Sequence, residues 1–302
     1  MITDMNDLPR VIKFKRAVLF DLFHTLTALE SSWSSGPLTH QLLGVSKEAW
    51  NQQLQEKSRP RLAGQIKDPI SIIRTMAHAI DPTISEATIA TAVKNRVERF
   101  AGALINVPQE TLNVLGILRS RGKKIGLIGN ADAMEIAAWD RSPLAPLFDT
   151  VVFSCQLGWV KPEREIYEVC MAKLQVSPNE CVFVGDGGMG ELEGARQLGI
   201  ITVMITGIIK EIWPDKIEER KRHADFVIEK LGELLNKKHE RPTRVVGRLG
   251  NQMRLPSALP LAVNAHFQTV ILALRNRTRI SISRCNKEPT SLAGTCPASP
   301  AL

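Results

Sequence analysis

The sequence predicts an α/β protein: a Rossmann-like, doubly wound parallel sheet with an all-helical insertion. Three observations predict it. Short apolar runs alternate with helix-patterned stretches, as parallel strands joined by crossover helices do. Three of the runs end abruptly in polar residues, at Asp21, Asn130 and Asp186. Between the first and second runs, residues 30–104 carry helical spacing and no strand signal.

Ala17-Val18-Leu19-Phe20 is wholly apolar and reads as a buried strand, stopped by Asp21 and a polar turn holding Thr25. Alone, Asp21 reads as a turn residue, because Asp is favoured there on conformational grounds. After Pro37, helical stretches follow near 38–56, 70–80 and 84–103. In the last, Ile89, Ala92, Val93, Val97, Phe100 and Leu104 recur at helical spacing. The α/β pattern resumes with a helix over 111–121 and a strand over 124–128 that ends at Gly129-Asn130. A helix over 134–139, a strand over 150–153 and a helix over 162–174 come next; the last opens on Pro162, which a first helical turn tolerates. A strand over 181–184 ends at Gly185-Asp186, followed by a helix over 191–198 and strands over 200–205 and 225–228. A closing helix runs to about Asn236. The expected division is 1–29 plus 105–236 as the sheet domain, 30–104 as the helical one, and 237–302 as a basic, disordered tail.

Charge supports that division. The chain carries +8, but residues 237–302 hold eleven Lys or Arg against two Glu, a net of +9, which leaves residues 1–236 at −1. The body therefore has no basic footprint, and no nucleic-acid partner is expected. Leu255 to Leu274 is uncharged but contains Pro256, Pro260, Asn264, His266 and Gln268, poor residues for a lipid-facing helix, so no membrane partner is expected either. Met1 to Arg16 lacks the apolar centre of a signal peptide. The five cysteines, Cys155, Cys170, Cys181, Cys285 and Cys296, show neither close pairing nor zinc-like spacing. A reducing, cytoplasmic compartment fits them.

Four features share one address, the carboxyl ends of predicted strands. They are Asp21 with Thr25, Asn130, Lys161 in Gly158-Trp159-Val160-Lys161-Pro162, and Asp186 with Glu191. In a doubly wound sheet those ends converge on one crevice. Carboxylates beside a lysine suit phosphate chemistry, because they can hold Mg²⁺ while the lysine offsets phosphoryl charge. Each also has a plainer reading. Lys161 could start a surface helix, Gly185-Asp186-Gly187-Gly188 could be a flexible turn, and Glu191 lies in a first helical turn, where the dipole favours acids.

In order and spacing, these segments resemble the haloacid dehalogenase superfamily of hydrolases over roughly residues 16–230. The motifs are Asp21-Leu-Phe-His-Thr25, Gly129-Asn130, Lys161 before Pro162, and Gly185-Asp186-Gly-Gly-Met-Gly-Glu191. The helical insertion resembles that family's cap domain, which closes over the site. The resemblance implies hydrolysis of a small phosphorylated substrate, with Asp21 as nucleophile through an aspartyl-phosphate. It implies Mg²⁺ held by Asp21, the Phe23 backbone carbonyl and Asp186, with Glu191 in support directly or through water. Lys161 would bridge Asp21 and the phosphoryl oxygens, Thr25 would steady the loop, and the Asn130 neighbourhood would donate hydrogen bonds to the transferring group.

Two positions depart from the family pattern. Its phosphatases carry a second Asp two residues after the nucleophile, as general acid and base; here that residue is Phe23. A positioned acid is worth about 10²–10⁴ in rate, so slow turnover of alkyl phosphates is expected. The family's hydroxyl at the end of the second strand is replaced by Gly129. His24 is expected to face away, since neighbouring side chains alternate in an extended loop. These departures keep two alternatives open. One is a metal-independent 2-haloacid dehalogenase, in which Arg59, Arg61 or Arg74 from the insertion would hold the halide. The other is a binding or regulatory module with a degraded site.

Overall fold

The structure, a computed structural model, describes residues 7–235. The expectations for 237–302, including the tail and the apolar stretch from Leu255 to Leu274, lie outside the described residues.

Six parallel strands form one sheet: β1 (Ala17–Phe20), β2 (Lys124–Gly129), β3 (Thr150–Phe153), β4 (Cys181–Gly185), β5 (Ile201–Ile205) and β6 (Phe226–Ile228). Their order is β3-β2-β1-β4-β5-β6. The chain winds outward from β1 to β3, then restarts at β4 on β1's other side. That reversal opens a crevice beyond the carboxyl ends of β1 and β4, where such sheets bind ligands. β1 pairs with β2 and β4 in the same register, Phe20 opposite Leu127 and Val184.

Central strands of this kind are covered on both faces and must be apolar throughout. On one face Val18, Phe20, Ile125 and Leu127 join Val114, Leu115 and Leu118 of a helix over Gln109–Ser120, with Leu8 and Ile12 of α1 (Leu8–Phe14). On the other, a helix over Arg164–Leu174 presses so closely that a Cβ on Gly126 would lie 2.7 Å from Cys170 Sγ. The helix α1 escapes a reading of mixed polar sequence because its buried set is only Leu8 and Ile12, one turn apart.

The insertion is all helical: α2 (Thr39–Leu43), α3 (Lys47–Glu56), α4 (Ser58–Leu62), α5 (Pro69–Ile80) and α6 (Glu86–Ile105). Gly44, at φ 70°, ends α2 and divides the stretch expected to be continuous over 38–56. Ser46, Asp68 and Ser85 accept from the amides of Ala49, Ser71 and Thr88, capping α3, α5 and α6. Leu43, Trp50, Ile72, Ile73, Met76, Ile89 and Ala92 bury one another there, and Met134 from beyond β2 joins them. Among the described residues no helix is long and apolar enough to cross a membrane.

Two expected helices differ. Residues 134–139 form successive turns with i→i−3 bonds, Ala137 to Met134 and Trp139 to Ile136, before a 3₁₀ turn at Trp139–Arg141. Pro143 lacks the amide needed to continue a helix there. The closing helix is a 3₁₀ turn over Leu231–Leu234.

Candidate active site

Asp21 leaves β1 with its amide donating to the Val184 carbonyl at 2.9 Å, so the ladder with β4 fixes its backbone. Its Oδ2 accepts from the Thr25 hydroxyl at 3.0 Å, and its Oδ1 from Lys161 Nζ at 2.5 Å. Lys161 Nζ also donates to Glu191 Oε2 at 2.6 Å. Lys161 is 2% exposed. Burial alone would lower its pKa, but the Asp21 and Glu191 carboxylates outweigh burial and raise it, so it stays an ammonium.

Glu191 opens a helix over Glu191–Gln197 and turns its carboxylate back against the end of β4. Its Oε1 accepts from the Gly187 amide at 2.9 Å, and Tyr167 Oη donates to its carbonyl at 2.7 Å. A Cβ on Gly185 would stand 2.2 Å from that Oε1, so this approach requires glycine. Burial pushes the Glu191 carboxyl up and the Asp21 charge adds to the rise, with Lys161 opposing both.

Asp186 follows β4. Its Oδ1 accepts from the Gly188 amide at 2.7 Å and its Oδ2 from Arg220 Nη1 at 2.9 Å. One carboxylate oxygen from each of Asp21, Asp186 and Glu191 lies within 4.8 Å of the others. Three hard oxygen donors this close together fit Mg²⁺, which takes oxygen ligands and few of them from protein.

The structure thus brings Asp21, Thr25, Lys161, Asp186 and Glu191 together, and their elements explain how. Two lie at adjacent strand ends, and Lys161 reaches over from the loop beyond β3. Asn130, at the end of β2, is bonded to the Lys161 backbone. Its Oδ1 accepts from the Lys161 amide at 2.8 Å and its Nδ2 donates to the Lys161 carbonyl at 3.0 Å, so its side chain grips the lysine's backbone. A Cβ on Gly129 would meet the Phe153 ring at 3.1 Å, so a hydroxyl-bearing side chain there would need that ring to give by a few tenths of an ångström.

Phe23 packs against Phe100 and Trp33, with ring centroids 5.1 and 5.6 Å away. The position of the family's second acid is therefore filled by an aromatic cluster shared with the insertion. The expected orientation of His24 is corrected. Its φ of 62° breaks the extended alternation on which that expectation rested. Its Nδ1 comes to 4.0 Å from Asp186 Oδ2 while its Nε2 meets Glu30 Oε1 at 2.8 Å. Burial opposes the imidazolium, but Glu30, Asp186 and Asp21 together raise the His24 pKa. Arg99 holds Glu30 Oε2 at 2.9 Å from α6.

The three arginines considered as halide ligands are paired elsewhere. Arg59 pairs with Glu163, Arg74 with Glu86, and buried Arg61 with Asp132 at 3.0 Å and Glu135 at 3.3 Å. Arg96 joins that buried group, 2.6 Å from Glu135. Arg220 and Tyr167 escape a reading by motif. Arg220 lies 34 residues beyond Asp186, and nothing local marks it out.

A family model for haloacid dehalogenase-like hydrolases matches residues 15–199. A glyceraldehyde 3-phosphate phosphatase from Methanocaldococcus jannaschii is 28% identical over 169 residues, covering 55% of this chain and 68% of its own length. The bifunctional epoxide hydrolase 2 of Rattus norvegicus is 32% identical over 113 residues, 36% of this chain, and this match spans only 20% of that relative. Among solved structures, an L-2-haloacid dehalogenase from Xanthobacter autotrophicus shares the fold with a TM-score of 0.51 and 20% identity, covering 73% of this chain and 96% of its own. With its motifs assembled on a switch-point sheet and more than half its length matched, the chain belongs to the haloacid dehalogenase-like hydrolases.

Proposed function

We propose that this hydrolase is a Mg²⁺-dependent phosphatase acting on small phosphomonoesters through Asp21. One observation carries the reading: Lys161 bridges Asp21 and Glu191 while Asp186 faces them from the adjacent strand end. A dehalogenase has no use for that third carboxylate. The name of the archaeal relative, a phosphatase matched over two-thirds of its length, supports the same reading.

Asp21 attacks phosphorus. The new bond joins its carboxylate oxygen to the phosphoryl group, and the bond to the alcohol oxygen breaks. The alcohol oxygen leaves with the bonding pair and takes its proton from solvent, and water then cleaves the acyl phosphate to release phosphate and free Asp21. Lys161 offsets charge on Asp21 and on the phosphoryl oxygens, and Thr25 holds the second Asp21 oxygen in place. Mg²⁺, held by Asp21, the Phe23 carbonyl and Asp186 with Glu191 in support, would supply further neutralisation of the transferring group. With Phe23 where the acid is expected, leaving groups that need little protonation, aryl and acyl phosphates, turn over best.

Residues 30–104 serve as a cap that excludes water and selects the substrate, against a core of 1–29 and 105–236. Three buried free thiols, Cys155, Cys170 and Cys181, support a reducing, cytoplasmic setting.

The test is phosphate release from an aryl phosphate, with Mg²⁺ and with chelator, beside Asp21→Asn. Metal-dependent turnover lost in the variant is expected. Turnover that persists in Asp21→Asn, or that ignores the chelator, would overturn the reading.

A further inference from the structure

Asp186 has a counter-ion of its own. Lys161 spans Asp21 and Glu191, and among the described residues the guanidinium of Arg220 is what pairs with Asp186 at hydrogen-bonding distance. Arg220 lies on a short helix over Ile217–Arg220, beyond β5. Its Nη1 reaches Asp186 Oδ2 at 2.9 Å and the Asp186 carbonyl at 3.3 Å. The approach is built into the backbone, because a Cβ on Gly187 would stand 2.8 Å from Arg220 Cβ. The guanidinium carbon also lies 5.4 Å from the Trp213 ring centroid, and that ring meets His24 edge-on at 5.1 Å.

The two oxygens of Asp186 are not equivalent. Oδ1 accepts from the Gly188 amide and shapes the turn after β4, while Oδ2 is the oxygen 4.0 Å from His24 on the Asp21 loop. The oxygen turned toward that loop is therefore the one Arg220 holds. A divalent cation that draws on this oxygen of Asp186 meets a cation already on it.

We infer that Arg220 is a resident competitor for the metal: it neutralises Asp186 when no cation is bound and weakens the site's affinity for Mg²⁺. The inference rests on the metal reading above. It differs in sign from the simpler role of a positioning salt bridge. If Arg220 only held Asp186 in place, its removal would loosen a ligand and weaken metal binding. If it competes, removal strengthens binding.

Arg220→Gln separates the two, because glutamine can still donate a hydrogen bond to Asp186 but carries no charge. Mg²⁺ binding to the full chain is measured by titration calorimetry without substrate, and melting is recorded with and without Mg²⁺. The expected result is affinity about tenfold tighter than the parent, the equivalent of ~1.4 kcal/mol. A larger Mg²⁺-induced rise in melting temperature accompanies it, since a ligand that binds the folded state more tightly stabilises it more. Unchanged or weaker Mg²⁺ affinity overturns the inference. If Arg220→Gln does not fold, Arg220→Met decides: it keeps the aliphatic stem but carries no charge, and must bind Mg²⁺ more tightly than the parent. Failure of the parent itself to bind Mg²⁺ would overturn the metal reading, a result distinct from equal binding by parent and variant.

Discussion

Asn130 holds Lys161 at both ends of one residue, accepting from its amide at 2.8 Å and donating to its carbonyl at 3.0 Å. The terminal ammonium is thereby referenced to the end of β2, although its loop comes from beyond β3. Asn130→Ala removes both bonds and leaves the ammonium free to shift. Displacements near 1 Å at a reacting centre cost about 10² in rate, and a fall in kcat of that order is expected. Asn130→Asp, which keeps the acceptor but presents a carboxylate to a carbonyl, should also lose most activity. Steady-state kinetics on an aryl phosphate, with melting curves to confirm folding, checks both variants.

Removing Lys161 has a different signature. In Lys161→Met the Asp21 and Glu191 carboxylates lose their shared cation, and Glu191 is 2% exposed. Breaking a buried pair by deleting one partner costs about 3–5 kcal/mol. Glu191, already pushed up by burial and by Asp21, would then take a proton readily. The destabilisation should therefore shrink as pH falls toward 5. Urea titrations at several pH values test this, and a pH-independent loss would contradict it.

His24 and Glu30 titrate in opposite senses, which defines a window. The His24 pKa is raised above 6.5, so its contribution is complete below that value and fades as pH rises through the raised one. Glu30 is partly buried, which works against its ionised form, but His24 and Arg99 hold its pKa below 4.5. Its contribution is present above that value and fades as pH falls through the lowered one. The pair stabilises the fold most between the two folded-state values. With chelator present, His24→Gln should therefore be less stable than the parent near pH 6, with a smaller deficit near pH 9, as measured by denaturant midpoints.

The thiols offer a test of the core. Burial pushes Cys155 up to about 11 and Cys181 up to about 12, and pushes Cys170 up as well. Thiolate is the reactive form, so at pH 8 all three should resist a thiol reagent until the protein unfolds. A chain with Cys285→Ser and Cys296→Ser isolates them. Fast labelling of the native protein would mean that the sheet faces open more readily than their packing allows.

What was legible in the sequence follows from how locally each feature is encoded. Ala17–Phe20 and Cys181–Gly185 are buried on both faces, so their composition alone marks them as strands, and a carboxylate at the end of each marks the crevice. Lys161 was legible from its motif. The orientation of His24 was not, because it depends on a left-handed backbone that Leu22-Phe23-His24-Thr25 does not announce. Arg220 was invisible for another reason: its partner is 34 residues away, and a short helix of Ile, two Glu and Arg, flanked by Lys216 and Lys221, reads as solvated surface. Residues 134–139 carry helical spacing, yet Asp132 and Glu135 spend their carboxylates on nearby amides and on Arg61, and Pro143 closes the segment.

Restoring the family's acid should not restore its chemistry. Phe23 sits 5.1 Å from the Phe100 ring and 5.6 Å from Trp33, rings that belong to the insertion. Phe23→Asp removes one member of that cluster, at a cost below the ~3–5 kcal/mol of a fully buried aromatic because Phe23 is only partly buried. It also brings a carboxyl against aromatic faces, where lost hydration raises its pKa and favours the neutral form. Protonating a leaving oxygen would leave a poorly hydrated carboxylate among the rings, so the neutral acid there would be a weak proton donor. The variant should therefore melt lower than the parent and gain less on alkyl phosphates than the ~10²–10⁴ a positioned acid provides. Rates on matched alkyl and aryl phosphates measure this directly. A large gain confined to alkyl substrates, with stability intact, would mean that Phe23 alone limits the substrate range and that the aromatic cluster is dispensable to the fold.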